Sequence, residues 1–173
     1  MRPPRPDLKV EALAAHHDRA GFSCGIDSLD RYLRTQAAQD VRRRANGVFV
    51  LVVANAVKTP LGYYTLCATA LPPSDVPAAA RKHVPRYPLV SATLMGRLAV
   101  SQTRYGEGLG SLLLADAVQR AYASAETVGS SMLVVDALSE RAAAFYASFG
   151  FQLLPESLRL VLPMRSIGEL LAR

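Results

Sequence analysis

The sequence predicts an α+β fold in which a mixed, mostly antiparallel central sheet is flanked by helices. Two β-rich runs, VFVLVVAN and PLGYYTLCATAL, are separated by a short turn region around Lys58 and Pro60, which favours an antiparallel hairpin. The run MLVVD is continuously apolar, as is typical of a strand covered on both faces. At 173 residues the chain fits one domain, 1–173, of which residues 1–7 are expected to form a flexible tail.

The first helix is predicted within the stretch FSCGIDSLDRYLRTQAAQDVRRRANG. Asp27 or Ser28 can cap its start, and Asn46-Gly47 is expected to end it. Apolar residues recur there at steps of three and four, so one face of the helix is expected to be buried. The residues of that face are Ile26, Leu29, Leu33, Ala37 and Val41.

The second half of the sequence alternates strands and helices. Residues 72–88 hold five prolines and are expected to form a surface excursion with at most a short helix. A strand over 89–100 and a helix over 107–125 follow it. The apolar strand SSMLVVDAL, a short helix over 139–148, and strands near FQLL and LRLVLPM complete the predicted fold.

Composition narrows the class of protein. Hydrophobic residues make up 50% of the chain and charged residues 20%, which is ordinary for a soluble globular protein. The start MRPPRPD lacks the apolar core of a signal peptide and no apolar run spans a membrane, so we expect a cytoplasmic protein with no membrane partner. Cys24 and Cys67 are expected to be buried, and no metal site is expected. The net charge of +6 favours an anionic partner, either a nucleic acid or a phosphate-bearing cofactor.

A loop with three glycines, YGEGLGS, joins the strand GRLAV to the following helix. Gly106, Gly108 and Gly110 lack the Cβ atoms that would keep a bulky phosphate from the free amides of a helix start. A tight turn would use the same glycines, so the loop alone leaves both interpretations open. No Lys follows the glycines as a P-loop requires, and the G-x-G-x-G order differs from the dinucleotide-binding fingerprint.

Several stretches, taken in order, resemble a known family. GRLAV, YGEGLGSLLLADA and VVDALSERAAAFYASFGF are similar to the GNAT superfamily of acetyl-coenzyme A dependent N-acetyltransferases, over roughly residues 20–165. FSCGIDSLDRYL, LGYYTLCATAL and PRYPLVSATLMGRLAV resemble the GNAT toxins of bacterial toxin-antitoxin pairs, which acetylate the amino group of aminoacyl-tRNA. The first position of the superfamily's loop is usually Gln or Arg, whereas this chain has Tyr105.

The resemblance implies a GNAT-like fold, acetyl-coenzyme A as cofactor, and a set of site residues. It implies that strand 97–100 splays from its neighbour and pairs with the pantetheine arm, and that its N–H groups near Ala99 and Val100 face the thioester oxygen, although plain sheet core would have the same sequence. It also implies that the hydroxyl of Tyr146 protonates the departing sulfur, whereas composition alone indicates a packing tyrosine. Phe145, Phe149 and Phe151 are interpreted as core residues. The predicted cofactor-binding residues are Leu98, Ala99, Val100, Tyr105, Gly106, Glu107, Gly108, Leu109, Gly110 and Ser111.

No residue stands out as a general base for the acceptor amine. His16, His17 and His83 do not lie at a strand end beside the glycine loop. Glu107 and Asp136 have simple structural interpretations, as a carboxylate at the helix start and as a strand-end cap. An α-amine, with a pKa of about 7.7–8.0, is partly neutral at pH 7 and needs no strong base. The missing base therefore agrees with an α-amine acceptor.

A protein that binds tRNA needs basic residues that contact its backbone phosphates. The resemblance also implies a small antitoxin, of the ribbon-helix-helix type, and a homodimer. Two other functions stay open: acetylation of a small-molecule amine or a protein N-terminus, and a catalytically silent acyl-coenzyme A binding module or DNA-linked regulator. The candidate tRNA contacts are Arg42, Arg43, Arg44, Arg81, Lys82 and Arg86. These residues are equally consistent with a solvated surface and, for the arginine triplet, with a helix end.

Overall fold

The computed structural model describes residues 7–173. Its strands are β1 (Leu8–Ala12), β2 (Gly47–Val53), β3 (Gly62–Leu71), β4 (Val90–Val100), β5 (Met132–Asp136), β6 (Gln152–Leu153) and β7 (Arg159–Pro163). Its α-helices are α1 (Asp27–Arg31), α2 (Ala37–Arg42), α3 (Leu109–Ala125), α4 (Glu140–Ala147) and α5 (Met164–Leu171). Of the predicted tail, residues 1–6 lie outside the described residues, and the Asp7 carbonyl accepts a hydrogen bond from the Ala54 amide at 2.6 Å.

The strands form a seven-stranded sheet in the order β1-β2-β3-β4-β5-β7-β6. β4 and β5 run parallel, whereas β1 and β2, β2 and β3, β5 and β7, and β6 and β7 are antiparallel pairs. The predicted fold class, a mixed and mostly antiparallel sheet with flanking helices, is therefore confirmed. No helix within residues 7–173 is both long and apolar enough to cross a membrane.

By its internal contacts the chain divides into two compact units. The first comprises the residues up to Leu66 together with Arg97–Ala117. The second comprises Cys67–Gly96 and Val118–Arg173. The boundaries fall inside β3, β4 and α3, so no linker separates the two units in sequence.

The core of the first unit lies between the β2–β3 hairpin and the helical segment 27–42. The hairpin pairs Val48 with Thr65 and Val50 with Tyr63, which confirms the predicted antiparallel connection. Its apolar face packs with residues of the helical segment and of β4 in one buried cluster. The cluster includes Phe22, Leu29, Tyr32, Leu33, Ala37, Val48, Val50, Val52, Tyr63 and Ala99.

The helical segment departs from a single regular helix. A π-helical turn, Tyr32–Gln36, separates α1 from α2 and rotates the buried face, so that Tyr32 joins the core. Leu29, Leu33 and Ala37 of the predicted face are buried, whereas Ile26 and Val41 at its two ends are 44% and 37% exposed. Ile26 lies outside the helix, as its extended N-cap. The predicted caps are wrong, because Ile26 occupies the N-cap position without a side-chain hydrogen bond. The segment ends at Arg42 rather than at Asn46-Gly47, because Arg44 adopts a left-handed φ of 58°.

The second unit has its own buried cluster. The β5 residues Met132 to Val135 are at most 1% exposed, which confirms a strand covered on both faces. The Pro-rich segment 72–88 forms two short 3₁₀ turns, Pro73–Asp75 and Ala78–His83, as its prolines predict. Val76 and Ala80 from this segment are buried in the cluster, which fixes the excursion to the sheet.

Some elements were not predicted. β1 alternates Leu8, Val10 and Ala12 with charged residues, which is a signal of only five residues directly after the Pro-rich start. α5 places Met164 and Ile167 on a buried face three residues apart, but its start is hidden in the preceding apolar strand. The prediction for the cysteines is right for Cys24, which is buried, and wrong for Cys67, which is only partly covered.

Candidate active site

In the first unit, the end of β4 leads into the glycine loop. The pairing of β4 with β5 covers Ala92 to Met95, and β4 continues beyond it to Val100. Ala99 is buried, with 5% of its surface exposed, whereas Leu98 and Val100 are half-buried. The last residues of β4 thus extend past the stretch that pairs with β5, and their polar main-chain groups along that edge can bind an extended ligand.

Gly62 fixes the position of this strand end. A Cβ at Gly62 would lie 2.7 Å from the Ala99 carbonyl oxygen and 2.8 Å from Cδ1 of Leu113. The Ser101 amide also donates to the Leu61 carbonyl at 2.8 Å. The close approach of β3, β4 and α3 therefore depends on a residue without a side chain. In the sequence, the glycine of LGYY is the signal for this close approach.

The glycines of the loop after β4 leave its main chain uncovered by side chains. Gly106 and Gly108 have φ values of +80° and +78°, and a Cβ at Gly106 would meet no atom within 4 Å. α3 starts at Leu109, two residues later than predicted, because these two glycines leave the right-handed region. The first helical hydrogen bond is donated by the Leu112 amide to the Gly108 carbonyl at 3.2 Å. The three amides before it, of Leu109, Gly110 and Ser111, therefore precede the hydrogen bonding of the helix.

Hydrogen bonds to Ser23 and Cys24 hold the glycine loop in place. The Tyr105 hydroxyl donates to the Cys24 carbonyl, although 59% of the residue is exposed. Ser23 Oγ donates to Gln102 Oε1 at 3.1 Å, and the Gln102 amide donates to the Ser23 carbonyl at 2.9 Å. Arg104 Nε pairs with Glu107 Oε2 at 2.6 Å. The Tyr105 side chain, which stands where the superfamily usually has Gln or Arg, thus anchors the loop to the Cys24 carbonyl.

The Cys24 thiol is not a nucleophile in this arrangement. Burial, together with the nearby Asp30 carboxylate, raises its pKa to about 11. The thiol is therefore protonated at neutral pH, and the thiolate is the reactive form of cysteine. Cys24 acts as a small buried residue, as the sequence predicts.

In the second unit, Tyr146 lies on α4, whose start is capped by the Ser139 side chain accepting from the Ala142 amide at 3.1 Å. Tyr146 is 8% exposed and packs edge-on against Phe145 and Phe151, with ring centroids 5.3 and 5.8 Å away. Burial raises the pKa of its hydroxyl to about 12. Within residues 7–173 this hydroxyl has no hydrogen-bond partner, so it is a neutral donor available to a ligand.

Asp136, His16 and His17 each have a side-chain partner. Asp136 accepts two hydrogen bonds from Arg159, at 2.7 and 2.9 Å, which replaces the predicted strand-end cap by an ion pair across two strands. His17 is buried, and its Nδ1 accepts from the Ala14 amide at 2.9 Å while its Nε2 donates to Glu11 at 2.8 Å. His16 also approaches Glu11, at 3.3 Å. Both ring nitrogens of His17 are thus occupied, and His17 cannot act as a base without losing a hydrogen bond.

The predicted RNA-binding residues are all exposed. Arg42, Arg43 and Arg44 lie in the first unit and have no carboxylate partner among residues 7–173. In the second unit Arg81 donates from Nε to the Val76 carbonyl at 3.2 Å, and Lys82 and Arg86 project from the Pro-rich segment. Each group can meet phosphates without first breaking an ion pair.

The fold and the loop define an acyltransferase class: a β4 end beyond its pairing with β5, followed by a glycine loop at a helix start. Residues 45–153 match the family model described as Acetyltransferase (GNAT) domain. The chain belongs to the GNAT acetyltransferase family. The predicted enzyme class, an N-acetyltransferase that uses acetyl-coenzyme A, is thereby confirmed.

Relatives with assigned activities share most of the chain. A tRNA-acetylating toxin of Mycobacterium tuberculosis (strain ATCC 25618 / H37Rv) is 35% identical over 155 residues, which are 89% of this chain and 90% of the relative. The structure of AtaT complexed with acetyl-methionyl-tRNAfMet has a TM-score of 0.87 and 31% identity, covering 95% of this chain and 99% of that one. A tyrosine-to-phenylalanine mutant of AtaT, bound to the C-terminus of the antitoxin AtaR and acetyl-CoA, has a TM-score of 0.82 and 29% identity, with 96% and 99% covered.

Proposed function

We propose that this protein transfers the acetyl group of acetyl-coenzyme A to the α-amino group of aminoacyl-tRNA and blocks translation as the toxin of a toxin-antitoxin pair. The observation that carries the proposal is the 35% identity to a tRNA-acetylating toxin over 89% of the chain. Similarity over nearly the whole chain includes the parts that would receive the acceptor, whereas a match to the acetyltransferase core alone would leave the acceptor open.

The glycine loop fits the diphosphate of the donor. Gly106 and Gly108 open the main chain by their positive φ values, and the space at the Gly106 Cα would admit a phosphate oxygen. The amides of Leu109, Gly110 and Ser111 add the positive end of the α3 dipole. Tyr105 and Glu107 shape the loop through their contacts with Cys24 and Arg104.

The end of β4 fits the arm of the donor. Leu98, Ala99 and Val100 would pair with the pantetheine amides as an added strand would. The donor supplies an activated acetyl group as a thioester. An N–H group of β4 near Ala99 or Val100 can donate to the thioester oxygen, and a donor of this kind is worth about 100- to 1000-fold in rate.

Tyr146 is the proposed acid. Transfer forms a bond from the amine nitrogen to the acetyl carbon and breaks the bond from that carbon to sulfur, so the nitrogen loses a proton and the sulfur gains one. With a pKa raised to about 12 by burial, the Tyr146 hydroxyl is protonated at neutral pH and can supply this proton. The α-amine of an aminoacyl ester is partly neutral at pH 7, so it can attack without a dedicated base.

The acceptor and the partners complete the proposal. Arg42, Arg43, Arg44, Arg81, Lys82 and Arg86 are exposed and would neutralise tRNA phosphates. AtaT is known in complex with the antitoxin AtaR, which supports a small antitoxin as partner. We propose the ribbon-helix-helix type for this antitoxin, a homodimer for the enzyme, and the cytoplasm, where charged tRNA is found, as its location.

The test is the fate of labelled acetyl groups. The protein is incubated with labelled acetyl-coenzyme A and a pool of charged tRNA, with deacylated tRNA as the control. We expect label only on the charged RNA, released by mild alkali as an N-acetyl amino acid. Label that stays off the RNA but appears on an added small amine or a protein N-terminus would contradict the proposed acceptor. Unchanged activity of Tyr146→Phe would contradict the proposed acid.

A further inference from the structure

Arg97, in β4 of the first unit, has an unusual environment. Its guanidinium carbon lies 3.5 Å from the centroid of the Tyr32 ring, and the residue is half-buried. Arg31, Arg104 and Arg159 each pair with a carboxylate, of Asp27, Glu107 and Asp136. Among residues 7–173 the Arg97 guanidinium has no hydrogen-bond or ion-pair partner, although it interacts electrostatically with the nearby Asp40 carboxylate.

The platform beneath Arg97 is fixed by hydrogen bonds. The Tyr32 hydroxyl donates to Asp40 Oδ2 at 2.8 Å. Asp40 also accepts from Gln36 at 2.9 Å and from Asn46 at 3.0 Å. These hydrogen bonds and, more weakly, the nearby Arg97 charge lower the pKa of the Asp40 carboxyl. The π-helical turn that begins at Tyr32 brings this ring into the core, and turns of this kind are frequent at functional sites.

A half-buried guanidinium without an acceptor is suited to bind an anion. It has already lost part of its hydration, and its planar fork of N–H donors matches the oxygens of a phosphate. The stacking on Tyr32 orients that fork before any ligand arrives. Because Arg97 and Ala99 point to the same face of β4, the guanidinium lies on the face that also carries the buried core of the first unit.

The position of Arg97 along β4 indicates which anion it would take. A strand advances about 3.3 Å per residue, so Arg97 precedes Val100 by about 10 Å, whereas the glycine loop follows Val100. The diphosphate of the donor, bound at Gly106 and Gly108, would therefore lie on one side of the expected transfer site, and Arg97 would lie on the other. An anion at Arg97 belongs to the acceptor in this arrangement.

We infer that Arg97, stacked on Tyr32, binds a backbone phosphate next to the charged 3′ end of the acceptor RNA. The inference rests on the proposed function, because only an acceptor attached to RNA carries such a phosphate. It places an acceptor contact on β4, in addition to the exposed basic residues of the surface segments.

The test compares Arg97→Gln with Arg31→Gln, a matched loss of one positive charge from an exposed arginine beside Tyr32 in sequence. Initial rates are measured with charged tRNA and with an amino acid methyl ester, which has the α-amine and the ester but no phosphate. We expect Arg97→Gln to raise KM for charged tRNA by about tenfold, since the lost hydrogen bonds are to a charged group. The salt dependence of that KM should become less steep by about one phosphate contact.

Three results would overturn the inference. Equal losses with charged tRNA and with the methyl ester would show a structural role. A raised KM for acetyl-coenzyme A alone would show that the anion belongs to the donor. An Arg31→Gln effect as large as that of Arg97→Gln would show a general charge effect.

A binding measurement separates this inference from the proposed function. Fluorescence anisotropy is measured with an uncharged acceptor-stem hairpin that ends in single-stranded CCA. If the wild-type protein transfers no acetyl group to tRNA, the proposed function fails, but about tenfold weaker hairpin binding by Arg97→Gln would still support the phosphate site. Equal binding by wild type, Arg97→Gln and Arg31→Gln would contradict it. If Arg97→Gln does not fold, Arg97→Lys keeps the charge without the planar fork and should show the same pattern, with smaller effects.

Discussion

The two regions proposed to perform the reaction are built differently. In the proposed reaction the end of β4 and its loop, residues 96–111, act through main-chain groups, and three of the loop residues are glycines. From α4 and its flanks the proposal uses one side chain, Tyr146, which is held by aromatic packing. A site made of main chain should tolerate side-chain changes that keep its path, whereas a site made of one side chain should not.

The largest effect is expected at the side-chain region. Tyr146→Phe removes the proton donor but keeps the ring and its contacts with Phe145 and Phe151. We expect kcat to fall by about 100-fold or more, as for loss of a general acid, with KM for acetyl-coenzyme A unchanged. Steady-state kinetics of the variant and the wild type measure kcat and KM, and thermal unfolding of both proteins checks that their stability is equal. A loss that appears only in KM would assign Tyr146 to binding instead.

The pH profile of the wild type sharpens the same prediction. The pKa of Tyr146 is raised to about 12, so the hydroxyl remains protonated across the assay range. The rate should rise as the acceptor α-amine, with a pKa of about 7.7–8.0, loses its proton, and then stay level to pH 10. Because the pKa in the folded protein lies above the ordinary value, the associated stability is complete below about pH 10 and is lost as the pH rises towards 12. A fall in rate between pH 8.5 and 10, with the protein still folded, would contradict the role of Tyr146.

The next effect is expected from a change in the path of the main chain. Gly62→Ala would place a Cβ 2.7 Å from the Ala99 carbonyl oxygen, so the strand end must move. We expect a loss of about 1–3 kcal/mol in the free energy of unfolding, as for overpacking, together with weaker binding of acetyl-coenzyme A. Gly129→Ala is the matched control, since a Cβ there meets nothing within 4 Å. Equal denaturant midpoints for the two variants would show that the close approach at Gly62 is unimportant.

The smallest effect is expected from a side chain of the main-chain region. Tyr105→Phe removes the hydrogen bond to the Cys24 carbonyl but leaves the glycines in place. We expect KM for acetyl-coenzyme A to change by less than about tenfold, since one hydrogen bond contributes about 1 kcal/mol. A loss of kcat as large as that of Tyr146→Phe would mean that the Tyr105 hydroxyl takes part in the chemistry.

The sequence predicted most of the strands, the glycine loop and the candidate acid, because each has a local signal. The hydrophobic runs indicate β2 to β5, and the FY..FGF context places Tyr146 by its resemblance to the family. The stack of Arg97 on Tyr32 was missed, because it joins residues 65 positions apart and depends on the π-helical turn. Regular helical spacing put Ile26 and Val41 in the core, but both are exposed, Ile26 because the helix begins only after it.

One calorimetric comparison tests the division between the two regions most directly. Acetyl-coenzyme A is titrated into folded wild type, Tyr146→Phe, Gly108→Ala and the control Gly129→Ala. Because Gly108 has a φ of +78°, an alanine there is strained, and we expect the affinity of the Gly108→Ala variant for acetyl-coenzyme A to fall by about tenfold. Tyr146→Phe and Gly129→Ala should bind like the wild type. Weaker binding by Tyr146→Phe with unchanged binding by Gly108→Ala, or no heat with the wild type, would contradict the account.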